Sequence, residues 1–322
     1  MEFDDRIYGK QKVEKEVIKE LIETRPMKRL KHVHQAGPSP FFMEDKPPVT
    51  RFEHSLGVFF LLKNHDASVE EQVAGLIHDI PHTAFSHVAD FVFENEGHEY
   101  HEKFLDEIIY SSDIPEILES HGLDVDYVLD EDNFRLLERD LPKLCADRLD
   151  YSMRDLKAHK DYDMESFADN LTVKDEEFVF QSKEKAVEFG EKFIEADNSF
   201  WAHPKEVAIY EIFSDIIRKA LKLDRIQEED LFNTDEQLME KLREIEDKEI
   251  QEKFDLLDSG IEIEVGKEDY DILGTTKARA VDPSFLENGE KVQASKRSEK
   301  LKNSIQQHNQ KVEEGYKIKI LN

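Results

Sequence analysis

Histidines and carboxylates of the kind that bind metal ions lie close together in the first half of the sequence. Seven of the 13 histidines fall between positions 54 and 101, a window shorter than a sixth of the chain. The dipeptide His78–Asp79 ends one apolar run, and His54 opens another in RFEHSLGVFFLL. Neutral imidazoles and carboxylates together suit a divalent metal ion. One such histidine alone is usually structural, so the metal hypothesis depends on the combination.

A further carboxylate should come from another helix, because metal sites in helical proteins are built from facing helices. The segment CADRLDYSMRD offers Asp147 and places Tyr151 and Asp155 on the same helical face. A purely structural helix would carry an apolar stripe there. The alternative interpretation is a solvated charged face with an Asp–Arg ion pair.

Apolar periodicity predicts a mainly α fold. Helices are expected at residues 10–24, 52–64, 69–80, 100–110, 141–158 and 205–221. Pro81 should end the helix expected at residues 69–80. Pro142 should lie in the first turn of the helix expected at residues 141–158. Later segments alternate like strands, with an amphipathic stretch near 296–312 between them; these segments are GIEIEVGK, TTKARAV and GYKIKIL. We expect a helical domain at residues 1–226 and a small α+β subdomain at residues 227–322.

The charge of the chain excludes some partners. There are 44 basic and 74 acidic residues, a formal net charge of −30, so the surface repels nucleic acids and anionic lipid. An anionic substrate would need a locally positive pocket. The single cysteine, Cys145, excludes an intrachain disulfide and suits a reducing compartment. No apolar run reaches the roughly 20 residues of a membrane helix. We expect a cytoplasmic protein without membrane or nucleic-acid partners; a homo-oligomer remains open.

Taken together, the motifs resemble the HD-domain metal-dependent phosphohydrolases, and most closely their deoxynucleoside triphosphate triphosphohydrolase branch. The resemblance spans about residues 18–222 and rests on ELIETRPMKRLKHVHQAG, RFEHSLGV, AGLIHDIPHTAFSH and DRLDYSMRD. The dipeptide HD alone is common, whereas the longer motifs are specific. The resemblance implies an HD-domain helical bundle that hydrolyses a nucleotide, in the first place a (deoxy)nucleoside triphosphate. It also implies a divalent cofactor (Mn, Mg, Fe, Co, Ni or Zn).

The resemblance further implies roles for individual residues. The implied metal ligands are His54, His78, Asp79 and Asp147. The implied catalytic residues are His101 and its partner Glu102, with His82 and His87 on the phosphate side of the pocket. The implied substrate contacts are Arg51 and Arg148 for phosphate, Tyr151 and Asp155 for the sugar hydroxyl, Gln35 beside sugar and base, and Trp201 against the nucleoside. In this scheme the catalytic histidine protonates the leaving oxygen and the glutamate orients its ring.

Departures from the family pattern keep other activities open. Ala36 stands where this branch has a bulkier residue near the ribose 2′-hydroxyl, and residues 190–200 contain no arginine to complete a triphosphate clamp. The alternatives are a 5′-nucleotidase or other phosphomonoesterase at the same metal site, and a non-catalytic nucleotide-binding sensor. Alarmone hydrolysis is disfavoured, because HDIPH lacks the acidic pair of that group. Beyond about residue 226 His308 is the only histidine, so we expect no catalytic residue there.

Overall fold

The computed structural model describes most of the chain, namely residues 1–43, 47–93, 100–266, 268–274 and 279–322. His98, one of the seven clustered histidines, lies outside the described residues, as do positions 275–278 of the expected strand TTKARAV. No helix within the described ranges is long and apolar enough to cross a membrane.

Helices dominate the part of the chain that the structure describes, which confirms the expected mainly α class. The first ten are α1 Glu16–Glu23, α2 Arg25–Arg29, α3 Arg51–Asn64, α4 Val69–Ile77, α5 Val88–Val92, α6 Leu105–Tyr110, α7 Ile114–Ser120, α8 Val125–Leu129, α9 Ala146–Lys160 and α10 Glu165–Ala168. The next five are α11 Lys183–Ala196, α12 Pro204–Lys222, α13 Asp235–Arg243, α14 Lys248–Asp258 and α15 Glu299–Glu313.

The described strands form three small sheets. They are β1 Glu2–Asp5, β2 Gly9–Lys12, β3 Leu171–Val173, β4 Phe178–Phe180, β5 Ile263–Val265, β6 Ile272–Gly274, β7 Ser284–Glu287, β8 Glu290–Gln293 and β9 Tyr316–Ile320. The first two form a hairpin, a second sheet has the order β3-β4-β7-β8, and a third has the order β5-β9-β6. In the second sheet β4 pairs parallel with β7, with Phe180 opposite Phe285. Strands from both sides of residue 226 therefore share a sheet, and the division into two domains there stays a prediction.

Helix α3 lies at the centre of the molecule and packs against α9. It begins at Thr50, whose side chain accepts a hydrogen bond from the backbone N–H of Glu53, a typical N-cap. Gly57 permits the close approach of α9, because a Cβ there would lie 2.0 Å from both Arg154 Nη2 and Asp150 Oδ1. Only a residue without a side chain fits at this crossing.

Helix α4 ends just before the residues of interest. Its N-cap is Ser68 and its C-cap is His78, so the helix stops three residues earlier than expected. Phe85 and Ser86 follow in left-handed backbone conformations, with φ of 58° and 54°. The chain therefore turns sharply here, and the side chains that follow α4 point inward rather than along a helix.

Several expected element boundaries are corrected by the structure. Residues 9–12 form β2 rather than helix, and α1 begins only at Glu16. Helix α9 begins at Ala146, so Pro142 lies before the helix and not in its first turn. The expected helix at 100–110 is a 3-10 turn, His101–Phe104, followed by α6.

The later elements agree more closely with expectation. Helix α12 confirms the segment at 205–221, and α15 occupies the amphipathic stretch near 296–312. The segments GIEIEVGK and GYKIKIL contain β5 and β9. In TTKARAV, the described residues 279–281 form no strand, so that expectation is wrong for this part.

Two apolar clusters form the core. The larger surrounds α3, α9 and α11 and contains Phe59 and Phe189. The second surrounds α12, α13 and α14 and contains Phe213 and Phe254. Helices from both clusters contribute side chains to one cavity, which therefore lies where the two packed units meet.

Candidate active site

A cavity of about 1080 Å³ is lined by every residue to which the sequence assigns a site role. Its walls come from α3, the turn after α4, α9, α12 and the segment before β7. Pockets for small ligands span roughly 300–1,000 Å³, so the cavity is large enough for a nucleotide. Convergence in one cavity supports the assigned roles, which themselves stay predictions.

Three of the expected metal ligands come together at the inner end of the cavity. His54 lies on α3, His78 caps α4, and Asp147 lies in the first turn of α9. One donor atom of each lies within 4.8 Å of the others. Asp147 Oδ1 is 2.9 Å from His54 Nε2 and 3.5 Å from His78 Nε2. Two imidazoles and a carboxylate form a donor set that suits a divalent metal ion.

The fourth expected ligand, Asp79, lies beside this group but binds an arginine. Its Oδ1 is 3.6 Å from His78 Nε2, and its Oδ2 is 4.0 Å from His54 Nε2. Arg51 Nη1 donates to both carboxylate oxygens, at 2.8 and 2.9 Å. Burial alone would raise the pKa of Asp79, but the Arg51 guanidinium holds this pKa well below its usual range. Asp79 is therefore a carboxylate at neutral pH, as a metal ligand must be.

Both histidines are oriented through their other ring nitrogen. His54 Nδ1 lies 2.8 Å from Asp150 Oδ2, and His78 Nδ1 lies 2.9 Å from the carbonyl oxygen of Gly75. Ligating histidines usually carry such a partner, which fixes the ring and leaves Nε2 for the metal. Within the described part of the chain, His78 Nε2 is buried without a hydrogen-bond partner. A buried nitrogen in that state costs free energy unless a ligand binds it, so these residues fit a metal ion.

A proton and a metal ion compete for the same nitrogen of His54. Burial lowers the pKa of His54, but hydrogen bonds to Asp147 and Asp150 outweigh it and raise this pKa to about 10. Burial would raise the pKa of Asp147, but His54 and His78 hold it far below its usual range. The site is therefore strongly attractive to positive charge.

The expected phosphate-side histidines form a second cluster. One donor atom each of His82, His87 and His101 lies within 4.8 Å of the others, and the rings of His82 and His101 stack with centroids 3.6 Å apart. Burial lowers the pKa of all three, to about 3 for His101. These imidazoles are therefore neutral at pH 7 and can accept a proton when a ligand adds negative charge.

The expected His101–Glu102 pair does not form a hydrogen bond in the described structure. The side chain of Glu102 is exposed at the edge of the cavity, and the ring of His101 contacts His82 and His87 instead. A different carboxylate binds this cluster: Asp90 Oδ2 on α5 lies 3.0 Å from His87 Nδ1. The role assigned to Glu102, orientation of His101, has no support from these contacts.

The expected nucleoside side of the cavity is organised around Trp201. Its indole Nε1 donates to Asp155 Oδ2 at 2.7 Å, and its ring meets the Tyr151 ring edge-on, with centroids 5.1 Å apart. Gln35 also lines this cavity, and in the described structure its Oε1 is buried without a hydrogen-bond partner. These groups present a fixed carboxylate and an unused acceptor to a hydroxylated ligand.

The expected phosphate contacts Arg51 and Arg148 line the cavity, but other protein groups engage them. Arg51 donates to Asp79 and, through Nε, to Ser86 Oγ at 2.8 Å. Arg148 donates from Nη1 to the carbonyl oxygens of Arg139 and Lys143, both at 2.9 Å. Its Nη2 donates to Glu138 Oε1 at 3.0 Å. Both add positive charge to the cavity, with part of their donor capacity already used.

Two residues of interest escaped the sequence interpretation. Asp150 lies on α9 three residues after Asp147, and that spacing, which places both on nearby faces, was a usable signal. Arg279 precedes β7 and is the one described residue beyond position 226 that lines the cavity. Nothing in the sequence around it indicates a site, because its place depends on how distant segments pack.

Comparisons with known proteins decide the family. The family model of the HD domain matches residues 51–155. The protein YdhJ of Bacillus subtilis is 37% identical over 325 residues, covering 100% of this chain and 99% of YdhJ. The metal-dependent phosphohydrolase cns2 of Cordyceps militaris is 30% identical over 300 residues, covering 89% of this chain and 85% of cns2. The chain belongs to the HD-domain metal-dependent phosphohydrolases.

This HD phosphohydrolase is also similar to a deoxynucleoside triphosphate triphosphohydrolase and to a phosphohydrolase of known structure. The deoxynucleoside triphosphate triphosphohydrolase SAMHD1 of Gallus gallus is 30% identical over 153 residues, covering 40% of this chain and 24% of SAMHD1. The crystal structure of a phosphohydrolase from Bacteroides thetaiotaomicron is 17% identical and has a TM-score of 0.63, covering 93% of this chain and 95% of that chain. The second similarity shows the shared fold. The HD family acts on phosphorylated small molecules with a divalent metal ion, and the donor set described above can hold one.

Proposed function

We propose that this HD phosphohydrolase hydrolyses nucleotides, and in the first place (deoxy)nucleoside triphosphates to the nucleoside and triphosphate. The observation that carries the proposal is the arrangement of α9. Asp147 belongs to the metal-donor group, while Tyr151 and Asp155 line the same cavity on the same helix. Eight residues of helix span about 12 Å, enough to separate a phosphate group from the far side of a sugar. The similarity to SAMHD1 over 153 residues supports the same substrate class.

The residues at the phosphate end can move a proton. A bound divalent ion would neutralise phosphate charge and lower the pKa of water. His101 is neutral in the free protein, because burial lowers its pKa to about 3. A phosphate beside it adds negative charge and favours the protonated ring. His101 would then be charged only when substrate is present, and would protonate the leaving oxygen.

The residues at the other end favour a sugar over an apolar group. Asp155 is 9% exposed, and Trp201 fixes one of its oxygens, so the carboxylate is oriented before a ligand arrives. The unused Oε1 of Gln35 can accept a hydrogen bond from the sugar or base. A ligand without hydroxyl or amino groups would leave Gln35 Oε1 unpaired, which costs about 1–3 kcal/mol.

One observation favours a second candidate, a phosphomonoesterase such as a 5′-nucleotidase. Arg148 already donates to Glu138 and to two carbonyl oxygens, so it has fewer donors for a triphosphate chain. A monoester needs fewer cationic contacts. The two candidates differ in product, since the monoesterase releases inorganic phosphate only.

The test is a product assay on a panel of ribo- and deoxyribonucleoside mono-, di- and triphosphates. Each is incubated with Mn²⁺, Mg²⁺, Fe²⁺, Co²⁺, Ni²⁺ or Zn²⁺, and phosphate, pyrophosphate and triphosphate are separated. Release of triphosphate supports the first proposal, and release of phosphate from monophosphates alone supports the second. Binding without hydrolysis under every metal would favour a nucleotide-binding sensor and refute both.

A variant tests the nucleoside end directly. Asp155→Ala should lower kcat/KM on nucleotides by about ten- to a hundredfold, because it removes a buried hydrogen-bond partner. Activity on bis(p-nitrophenyl) phosphate, which has no sugar, should change much less. Trp201→Phe keeps the Asp155 carboxylate but removes its indole donor and part of the ring surface expected against the nucleoside, so its effect on nucleotides should be smaller than that of Asp155→Ala. Equal damage to both substrates by Asp155→Ala would contradict the sugar-binding role.

A further inference from the structure

Arg279 brings the C-terminal part of the chain into the active-site cavity. It lies between β6 and β7, its side chain is half-buried, and it lines the same cavity as His54 and Asp147. A buried or half-buried guanidinium normally pairs with a carboxylate or a carbonyl oxygen. Among the described residues, no hydrogen bond or ion pair of Arg279 is found. Its five N–H donors are therefore available to a ligand.

The other arginines of the cavity differ in this respect. Arg51 binds Asp79, and Arg148 binds Glu138 and two carbonyl oxygens. Arg139 donates to the carbonyl oxygens of Arg135 and Glu176. Among the described arginines that line the cavity, Arg279 is thus the one whose donors are all uncommitted.

The charge of Arg279 reaches side chains at both ends of the cavity. Its charge acts on three side chains from different elements, namely His87 before α5, Tyr151 on α9 and Tyr210 on α12. His87 belongs to the phosphate-side cluster, and Tyr151 belongs to the expected nucleoside side. Arg279 is therefore within electrostatic reach of both the phosphate-side cluster and the expected nucleoside side of the cavity that it lines.

The carboxylates of the cavity explain why an anionic substrate would need a cation such as Arg279. The carboxylates among its lining residues include Glu131, Glu138, Asp147 and Asp155, and the chain as a whole carries −30. A nucleotide with several phosphate charges would be repelled by such a wall unless cations offset it. A guanidinium fork matches two phosphate oxygens at once, and residues 190–200 offer no arginine for that purpose.

We propose that Arg279 is a substrate-binding residue that holds the phosphate next to the sugar, so that the C-terminal subdomain completes the active site. The proposal rests on the nucleotide function proposed above. It adds a substrate-binding residue beyond position 226, a region in which the sequence predicts no catalytic residue. Lysine at this position would keep the charge but lose the two-pronged contact.

The test compares Arg279→Ala and Arg279→Lys with Arg297→Ala. Arg297 is a matched control, because it also lies in the C-terminal part but is exposed and paired with Glu287. Arg279→Ala should raise KM and lower kcat/KM for nucleotides by about ten- to a hundredfold, with a smaller loss for Arg279→Lys. Arg297→Ala should match the wild type. Thermal unfolding of all variants should be nearly unchanged, since Arg279 makes no described hydrogen bond or ion pair.

A binding measurement separates this proposal from the nucleotide function. The metal-loaded wild type and variants are titrated with inorganic pyrophosphate and with inorganic phosphate in a calorimeter. Weaker pyrophosphate binding by Arg279→Ala, in a protein that hydrolyses no nucleotide, would support Arg279 as a phosphate-binding residue and refute the nucleotide function. Unchanged pyrophosphate affinity together with unchanged nucleotide KM would overturn the role of Arg279 while leaving the nucleotide function in place.

Discussion

Asp150 offers a sharp test of how the metal-binding histidine is held. Its carboxylate is fully buried and touches His54 Nδ1 at 2.8 Å, and it receives two hydrogen bonds from Arg154 at 2.8 and 2.9 Å. Tyr8 donates a further hydrogen bond to it at 3.0 Å. Asp150→Asn keeps the shape of the side chain and removes the charge, so it leaves no cavity and changes only these contacts.

The contacts set the expected magnitudes. Removing a partner that orients a ligating histidine typically weakens metal binding about 10–100-fold. Removing one charge of a buried ion pair costs roughly 3–5 kcal/mol of stability, and the lower end applies here because Asp5 and Glu53 still bind Arg154 at 3.0 and 3.2 Å. We therefore expect Asp150→Asn to lose about 3 kcal/mol in the free energy of unfolding of the metal-free protein.

The assay pairs chemical denaturation of metal-free protein with calorimetric titration by Mn²⁺ at pH 7.5, well below the unfolding temperature. Glu53→Gln is the control, because the Glu53 carboxylate binds Arg6 and Arg154, whereas the described hydrogen bonds of the His54 ring go to Asp147 and Asp150. It should lower stability and leave Mn²⁺ affinity close to that of the wild type. Unchanged Mn²⁺ affinity in Asp150→Asn, with stability lowered, would show that Asp150 supports the fold only and would refute the orienting role.

Three further predictions follow from the same geometry. Asp147→Ala should abolish tight metal binding and hydrolysis, because it removes the carboxylate nearest Nε2 of both His54 and His78. Full metal content in the purified variant, measured by elemental analysis, would contradict the assignment. Mn²⁺ affinity should rise with pH by about tenfold per unit between pH 6.5 and 8.5, since His54 has its pKa raised to about 10 and must lose a proton to bind the ion; a flat profile in buffered titrations would exclude His54 as a ligand. Gly57→Ala should lower the free energy of unfolding by about 2 kcal/mol or more, measured by chemical denaturation, because its Cβ would meet buried ion-pair atoms at 2.0 Å. Gly75→Ala, whose Cβ would meet side-chain ends of Leu62 at 2.4 Å and of Val58 at 3.1 Å, should cost far less.

Local signals in the sequence were enough for the helices that carry the site. The periodicity of residues 52–64 predicted α3, whereas α4 ends three residues before the position that Pro81 indicated. The start of α9 was misplaced, because Pro142 suits a first turn but the chain enters the helix only at Ala146. The start of a helix depends on how the preceding segment packs against the rest of the protein, and local sequence patterns do not show this.

The types of the site residues were easier to predict than their partners. Arg51 was expected to contact phosphate, yet it binds Asp79, and Glu102 was expected beside His101, yet its side chain is exposed. The contacts of these side chains depend on how distant segments pack together, which no short sequence pattern predicts. The same reason hid Arg279, which reaches the cavity only because β7 pairs with β4 across more than a hundred positions of sequence.

The hairpin of β1 and β2 implies that the surroundings of the metal site are completed late in folding. Tyr8 reaches Asp150 and Asp5 reaches Arg154, contacts that span 142 and 149 positions of the chain. Contacts so distant in sequence close late in folding, because they must first overcome the entropy of a long loop. The carboxylate that orients His54 is therefore shielded from water only when the hairpin docks. Occupation of the site by a metal ion and protection of the hairpin amides from hydrogen exchange would then rise and fall together.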